Sequence, residues 1–232
     1  MQVVSWATVT FILGGVGVTC VLIIGAMLIG LALGTFMAAL QVYGPRWAGR
    51  LVSLYVWFFR GVPILVLMFL FHYGLFSVLE ALILKYCAYR FTIPPMATAI
   101  IVLGLTSAAY QSQIFKGAML SINTGQFKGA LALGMSRSQA IRVIILPQAM
   151  RIAIPAWSNE YSILLKDSAI AFVLGTSEIM ARTKSVASTT HQFLLLYILA
   201  GVLYYILTWL GVRYLHKLYE KVRTPGLAEI EG

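Results

Sequence analysis

Asn159, Glu160, Lys166, Asp167 and Ser168 stand among the polar residues of a mostly apolar stretch in the second half of the chain. Ionisable groups are costly inside a membrane and usually face a cavity or a partner. Glu160 and Asp167 are seven residues apart. On a helix that is two turns, so the carboxylates share a face and stand about 10 Å apart along the axis. Such a face can receive an ammonium or a guanidinium group, while Lys166 or helix-end amides hold a carboxylate. For Lys166 and Asp167 a second reading stands beside this one. Lys166 can neutralise Asp167, or a neighbouring subunit's acid, as a structural pair. Glu160 has no partner in its own helix, which favours a binding role.

Other chemistry is not supported. The phosphate-loop pattern Gly-x-x-x-x-Gly-Lys-Ser/Thr does not occur, so no ATP site of that kind is expected in this chain. His72, His191 and His216 are scattered, and Cys20 and Cys87 lack metal or redox spacing. No catalytic residue, metal ligand or cofactor is expected here. The net charge of +10 would suggest nucleic acid in a soluble protein. With 60% hydrophobic and only 10% charged residues, and mean hydropathy +0.89, the chain is instead an integral membrane protein. Its basic residues then report orientation, and no nucleic-acid partner is expected.

Apolar runs of roughly 20 residues suffice to cross the hydrocarbon. The sequence predicts a single all-α membrane domain over 1–232, with spans near 9–40, 51–79, 96–115, 152–174 and 193–215. In the first span, Gly30-x-x-x-Gly34 suits close helix packing, or is ordinary membrane-helix composition. In the second, Arg60-Gly61-Val62-Pro63 places a charge and a helix breaker near the start. Such a break needs protein or water around it, unless Arg60 simply snorkels at a helix start. Residues 80–95 read as a loop, and Pro225 and Gly226 break any helix in the tail.

Between the third and fourth spans, residues 123–147 are charged and punctuated. Asn123 and Gln126 have the spacing of a capping box, as do Ser136 and Gln139. Leu133 ends the first helix and Gly134 provides for positive φ. Pro147 ends or kinks the second. The stretch reads as helix, glycine turn, helix, lying at a membrane surface. With the N-terminus outside, the inner segments carry Arg46, Arg50, Lys116, Lys128, Arg137, Arg142, Arg151, Arg213, Lys217, Lys221 and Arg223. The outer ones carry only Lys85, Arg90, Arg182 and Lys184. This bias places the 123–147 loop and the C-terminus in the cytoplasm.

Gly134 followed by Ile144-Ile145-Leu146-Pro147 resembles the coupling loop of ABC-importer permeases, with Lys128-Gly129-Ala130 where that family has Glu-Ala-Ala. Arg60–Pro63 is similar to its Arg-Gly-Thr-Pro. Ala109–Ala118 is similar to its Ala-Tyr-x-x-Glu-Ile-x-Arg-Gly-Ala, with Gln113 in place of Glu. Asn159 and Lys166-Asp167-Ser168 resemble the polar amino-acid permeases of the histidine, arginine and glutamine type. The resemblance implies a type I ABC importer fold: five transmembrane helices and a cytoplasmic helix-turn-helix coupling loop. It implies a transmembrane subunit moving polar, and on its acidic residues basic, amino acids by alternating access. ATP and Mg would sit on separate ATP-binding subunits, met by a knob of Ala130, Leu131, Leu133, Gly134, Met135, Ser136 and Arg137. A second permease chain, an extracytoplasmic amino-acid-binding protein and membrane lipid would be the other partners, in a cell (plasma or inner) membrane. The competing expectation is a channel-like or scaffold membrane protein without ATP-coupled transport. A channel would line its path with several polar spans, whereas polar residues here concentrate in one.

Overall fold

The structure, a computed structural model, describes residues 6–222; the expected helix break at Pro225 and Gly226 lies outside them. Among the described residues the regular structure is helical: α1 (Trp6–Tyr43), α2 (Arg46–Gly61), α3 (Ile64–Cys87), α4 (Pro95–Ser121), α5 (Thr124–Ala132), α6 (Arg137–Leu174), α7 (Ile179–Thr190) and α8 (Phe193–Val222). Five of these, α1, α3, α4, α6 and α8, are long and apolar enough to cross a bilayer.

The bundle is built around α4. In its most apolar window 67% is buried, against 11–33% in the other four. Its longest seam is with α1, and small residues on both helices bring the backbones together. A side chain at Gly34 would meet the Ser112 amide nitrogen at 3.1 Å, and one at Gly104 would meet Ile29. Gly30 and Gly34 therefore serve close packing within the chain.

Helix ends follow local chemistry, with several departures from expectation. The second span does not begin at Leu51. Residues 46–61 form a separate helix, because extended Val62 and Pro63 interrupt the backbone and Pro63 starts α3. The 80–95 segment is helical as far as Cys87. Only then does Ala88, at φ 51°, turn the chain, and the Ile93 amide donates to Glu80 Oε1 at 2.5 Å. Pro147 does not end its helix. Residues Ile141–Ile145 form a wider π turn, and the Leu146 amide bonds to the Ile141 carbonyl. That widened register carries the helix past a residue with no N–H. The fourth span thus extends from Arg137, finishing in a 3-10 segment Ser168–Leu174. The last helix runs on through the polar residues to Val222.

Glycine provides the turn between α5 and α6. Gly134 adopts φ +84°, the Gly134 amide donates to Leu131 O and the Met135 amide to Ala130 O. This is the paired closure of a Schellman end. The Ser136–Gln139 capping box forms in both directions. At Asn123 only half of the expected box forms: its Oδ1 accepts from the Gly125 amide, while Gln126 turns away and accepts from Gln148 Nε2 at 2.6 Å.

Candidate functional site

The break at Val62–Pro63 opens beside α4 and α6. A cleft of about 320 Å³ there is lined by Phe59, Arg60, Gly61, Val62, Pro63, Ile64, Thr106, Tyr110 and Asp167. The sequence explains the opening. A chain that leaves helical geometry for two residues cannot pack its neighbours as closely, and protein or water must meet the freed backbone groups. Arg60 leans over the Tyr110 ring, 4.8 Å from its centre. Asp167 is half-buried and accepts no protein hydrogen bond among the described residues. Thr106 is buried, and its hydroxyl has no hydrogen-bond partner among the described residues. An unpartnered buried hydroxyl is costly, so a cleft that holds one beside an unpaired carboxylate is suited to a polar guest.

Glu160 lies next to this cleft, 3% exposed. Ser107 donates to its Oε1 at 2.6 Å. Arg60 attracts and Asp167 repels a charge on it. The structure therefore brings Glu160 and Asp167 into one electrostatic neighbourhood.

The other predicted binding residues stand elsewhere. Asn159 and Lys166 are exposed on the outer side of α6, and no ion pair joins Lys166 to Asp167 among the described residues. Ser168 is buried, its hydroxyl donating to the Leu165 carbonyl at 2.7 Å. Reasoning from sequence passed over Thr106, Ser107, Tyr110 and Gln111 as site residues. One signal was available: polar pairs four residues apart, Thr106 with Tyr110 and Ser107 with Gln111, on an otherwise apolar helix.

The knob residues gather at one end of the molecule. Leu133 is 86% exposed at the glycine turn, while Ala130 beneath it is buried. A large apolar side chain held out on a turn suits burial in another protein's groove.

A last carboxylate, Glu178, works structurally. It caps α7 by accepting from the Met180 and Ala181 amides at 2.7 and 2.6 Å, and it accepts from the Tyr204 hydroxyl at 2.6 Å. Burial pushes its carboxyl above the ordinary range, opposed by those three bonds.

The chain is similar to known proteins. The chain is 37% identical to the probable amino-acid permease protein YxeN of Bacillus subtilis (strain 168), over 82% of each chain. It is 32% identical to the histidine/lysine/arginine/ornithine transport system permease protein HisQ of Escherichia coli (strain K12), over 85% of this chain and 86% of HisQ. A crystal structure of an amino acid ABC transporter with histidines superposes with a TM-score of 0.75 at 26% identity, over 92% of this chain and 94% of that one. Residues 30–223 match the family described as binding-protein-dependent transport system inner membrane component. The chain belongs to that family: it is the permease subunit of an ABC importer.

Proposed function

We propose that this chain carries basic amino acids into the cytoplasm, with the cleft beside the α2–α3 break as the place where cargo is held. The observation that carries the reading is a pair of acids, Asp167 in the wall of a cleft that also holds the Thr106 hydroxyl, and Glu160 beside it in the same electrostatic neighbourhood. Carboxylates receive the guanidinium or ammonium of arginine, lysine or histidine, and Arg60 receives the substrate carboxylate. HisQ, whose name specifies basic amino acids, is among the relatives.

The remaining parts follow from the importer family. The N-terminus is outside and the C-terminus cytoplasmic, in line with the basic bias of the inner segments. ATP-binding subunits, which hold ATP and Mg, dock on the Leu133–Met135 turn. Their closure draws the loops together and re-orients the spans. A second permease chain packs against the exposed face of α6 that carries Asn159 and Lys166, and an extracytoplasmic binding protein delivers cargo.

The test is ATPase activity of the chain co-purified with its ATPase in lipid, with binding protein and each basic, acidic or neutral amino acid. Stimulation by a basic amino acid is expected for wild type and is expected to be lost in Glu160→Gln. Stimulation unchanged in the variant would move selection to the binding protein. No association with any ATPase would overturn the importer assignment of the complex.

A further inference from the structure

Four side chains link α4 to α6 in a row. The Trp157 indole Nε1 donates to Gln111 Oε1 at 2.8 Å, Gln111 Nε2 donates to Ser107 Oγ at 3.0 Å, and Ser107 Oγ donates to Glu160 Oε1 at 2.6 Å. Gln111 and Ser107 are fully or almost fully buried, as is Glu160. Gln111 Nε2 also reaches the Met27 carbonyl of α1 at 3.4 Å. Space for it exists because residue 30 is glycine: a Cβ there would strike the Gln111 amide and crowd the Ser107 hydroxyl.

The direction of the row is set at one end. An indole N–H only donates. Gln111 must therefore turn its oxygen to Trp157, which leaves its two N–H groups for Ser107 and the Met27 carbonyl. Ser107 Oγ then accepts a hydrogen bond from Gln111 and donates its own hydroxyl hydrogen to Glu160. With the Gln111 amide reversed, its oxygen would accept from Ser107, and the hydroxyl would turn its hydrogen away from the carboxylate. Oε2 of Glu160 takes no protein hydrogen bond among the described residues and is not fully enclosed.

We infer that Trp157, Gln111 and Ser107 are positioning residues that hold Glu160 as a hydrogen-bond acceptor, with Oε2 left to the cationic end of the cargo. The inference rests on the reading above that Glu160 receives that cation. It adds that selectivity for a basic over a neutral amino acid is set in part by a tryptophan three residues away from the carboxylate on the same helix. Polar networks of this kind are worth more satisfied than severed, because each buried member left unpaired is penalised.

The experiment is equilibrium binding of arginine and of glutamine to the purified permease–ATPase complex without binding protein. Ser107→Ala and Trp157→Phe are each expected to weaken arginine about tenfold, the scale of one charge-assisted hydrogen bond, while glutamine changes far less. Ser107→Thr, which keeps the hydroxyl, is expected to restore arginine binding. If Ser107→Ala does not assemble, Trp157→Phe carries the test, since a phenyl ring keeps most of the packing between the two core clusters that Trp157 joins. Equal losses for arginine and glutamine, or no loss, would overturn the inference. Glu160→Gln separates the two levels. Loss of arginine in that variant with none in Ser107→Ala and Trp157→Phe leaves the site and removes the relay. No loss even in Glu160→Gln removes the cargo site itself.

Discussion

Thr106 offers the cleanest separation of binding from stability at the level of single residues. Its hydroxyl is buried without a partner beside Asp167 and Arg60. Valine has the same shape and no hydroxyl. Removing an unpaired buried polar group relieves a penalty of about 1–3 kcal/mol, so Thr106→Val is expected to melt no lower than wild type, and cargo binding is expected to weaken. A thermal melt and a binding isotherm on the same preparation check this. A lower melting temperature with unchanged binding would mean the hydroxyl is structural. Glu178 gives the opposite kind of residue, with a pH signature. Its carboxyl is raised in the fold, chiefly by burial. A raised acid contributes stability that is present below the ordinary glutamate range, about 4.3, and is lost as pH rises through the folded value. Wild type is thus expected to lose melting temperature as pH climbs from that range, and Glu178→Gln is expected to flatten the slope. A slope that persists in the variant would assign it to another group.

Helix ends show what short-range sequence can and cannot announce. Ser136, Gln139 and Gly134 lie within a few residues of the groups they satisfy, so their caps and turn were legible. Of the two readings of Pro147, an end or a kink, the structure sets aside the end, because the π turn at Ile141–Ile145 carries the helix past the proline, and a single wide turn leaves no periodic mark. The division at Val62–Pro63 was visible as a breaker. That it detaches a whole helix, Arg46–Gly61, depends on how residues after Tyr43 pack, with Gln41 accepting from Gln113 Nε2 at 3.0 Å and donating to Ser53 at 3.2 Å. The relay at Glu160 was hidden for the same reason: Trp157 and Gln111 are 46 residues apart and meet only across the α4–α6 seam. At this scale Gly134→Ala is the informative change. A Cβ at positive φ costs about 1–2 kcal/mol, though open space surrounds it. The helices should persist by circular dichroism while ATPase co-purification falls. Undiminished co-purification would show that the turn's geometry is not what the ATPase reads.

Seen whole, the molecule is a thin bundle around one buried helix, and the other spans present broad apolar faces outward. That is the architecture of a subunit surrounded by lipid and by further protein. The polar groups of the proposed cargo site lie at the α2–α3 break and the α4–α6 seam, the capped turn lies between α5 and α6, and a separate buried polar group, Glu178 with Tyr204, joins α7 to α8. On the reading proposed above, cargo is held within the spans and the ATPase docks at the α5–α6 turn, so changes at the two places are expected to be independent. Residues more than about 10 Å apart without shared partners usually act additively. A double variant of Thr106→Val with Gly134→Ala should therefore show the product of the single defects in transport. The five spans and the turn were legible from hydropathy and capping, and the cleft was not, because its lining is drawn from α2, α3, α4 and α6, which are far apart in sequence. The central claim is that Glu160 and Asp167 hold a basic amino acid. Its most direct test is uptake of radiolabelled arginine into proteoliposomes carrying the full complex, binding protein and internal-facing ATP, for wild type, Glu160→Gln and Asp167→Asn. Both variants are expected to lose most arginine uptake while still assembling with the ATPase. Uptake at the wild-type rate in both, with arginine still the preferred cargo, would contradict the account.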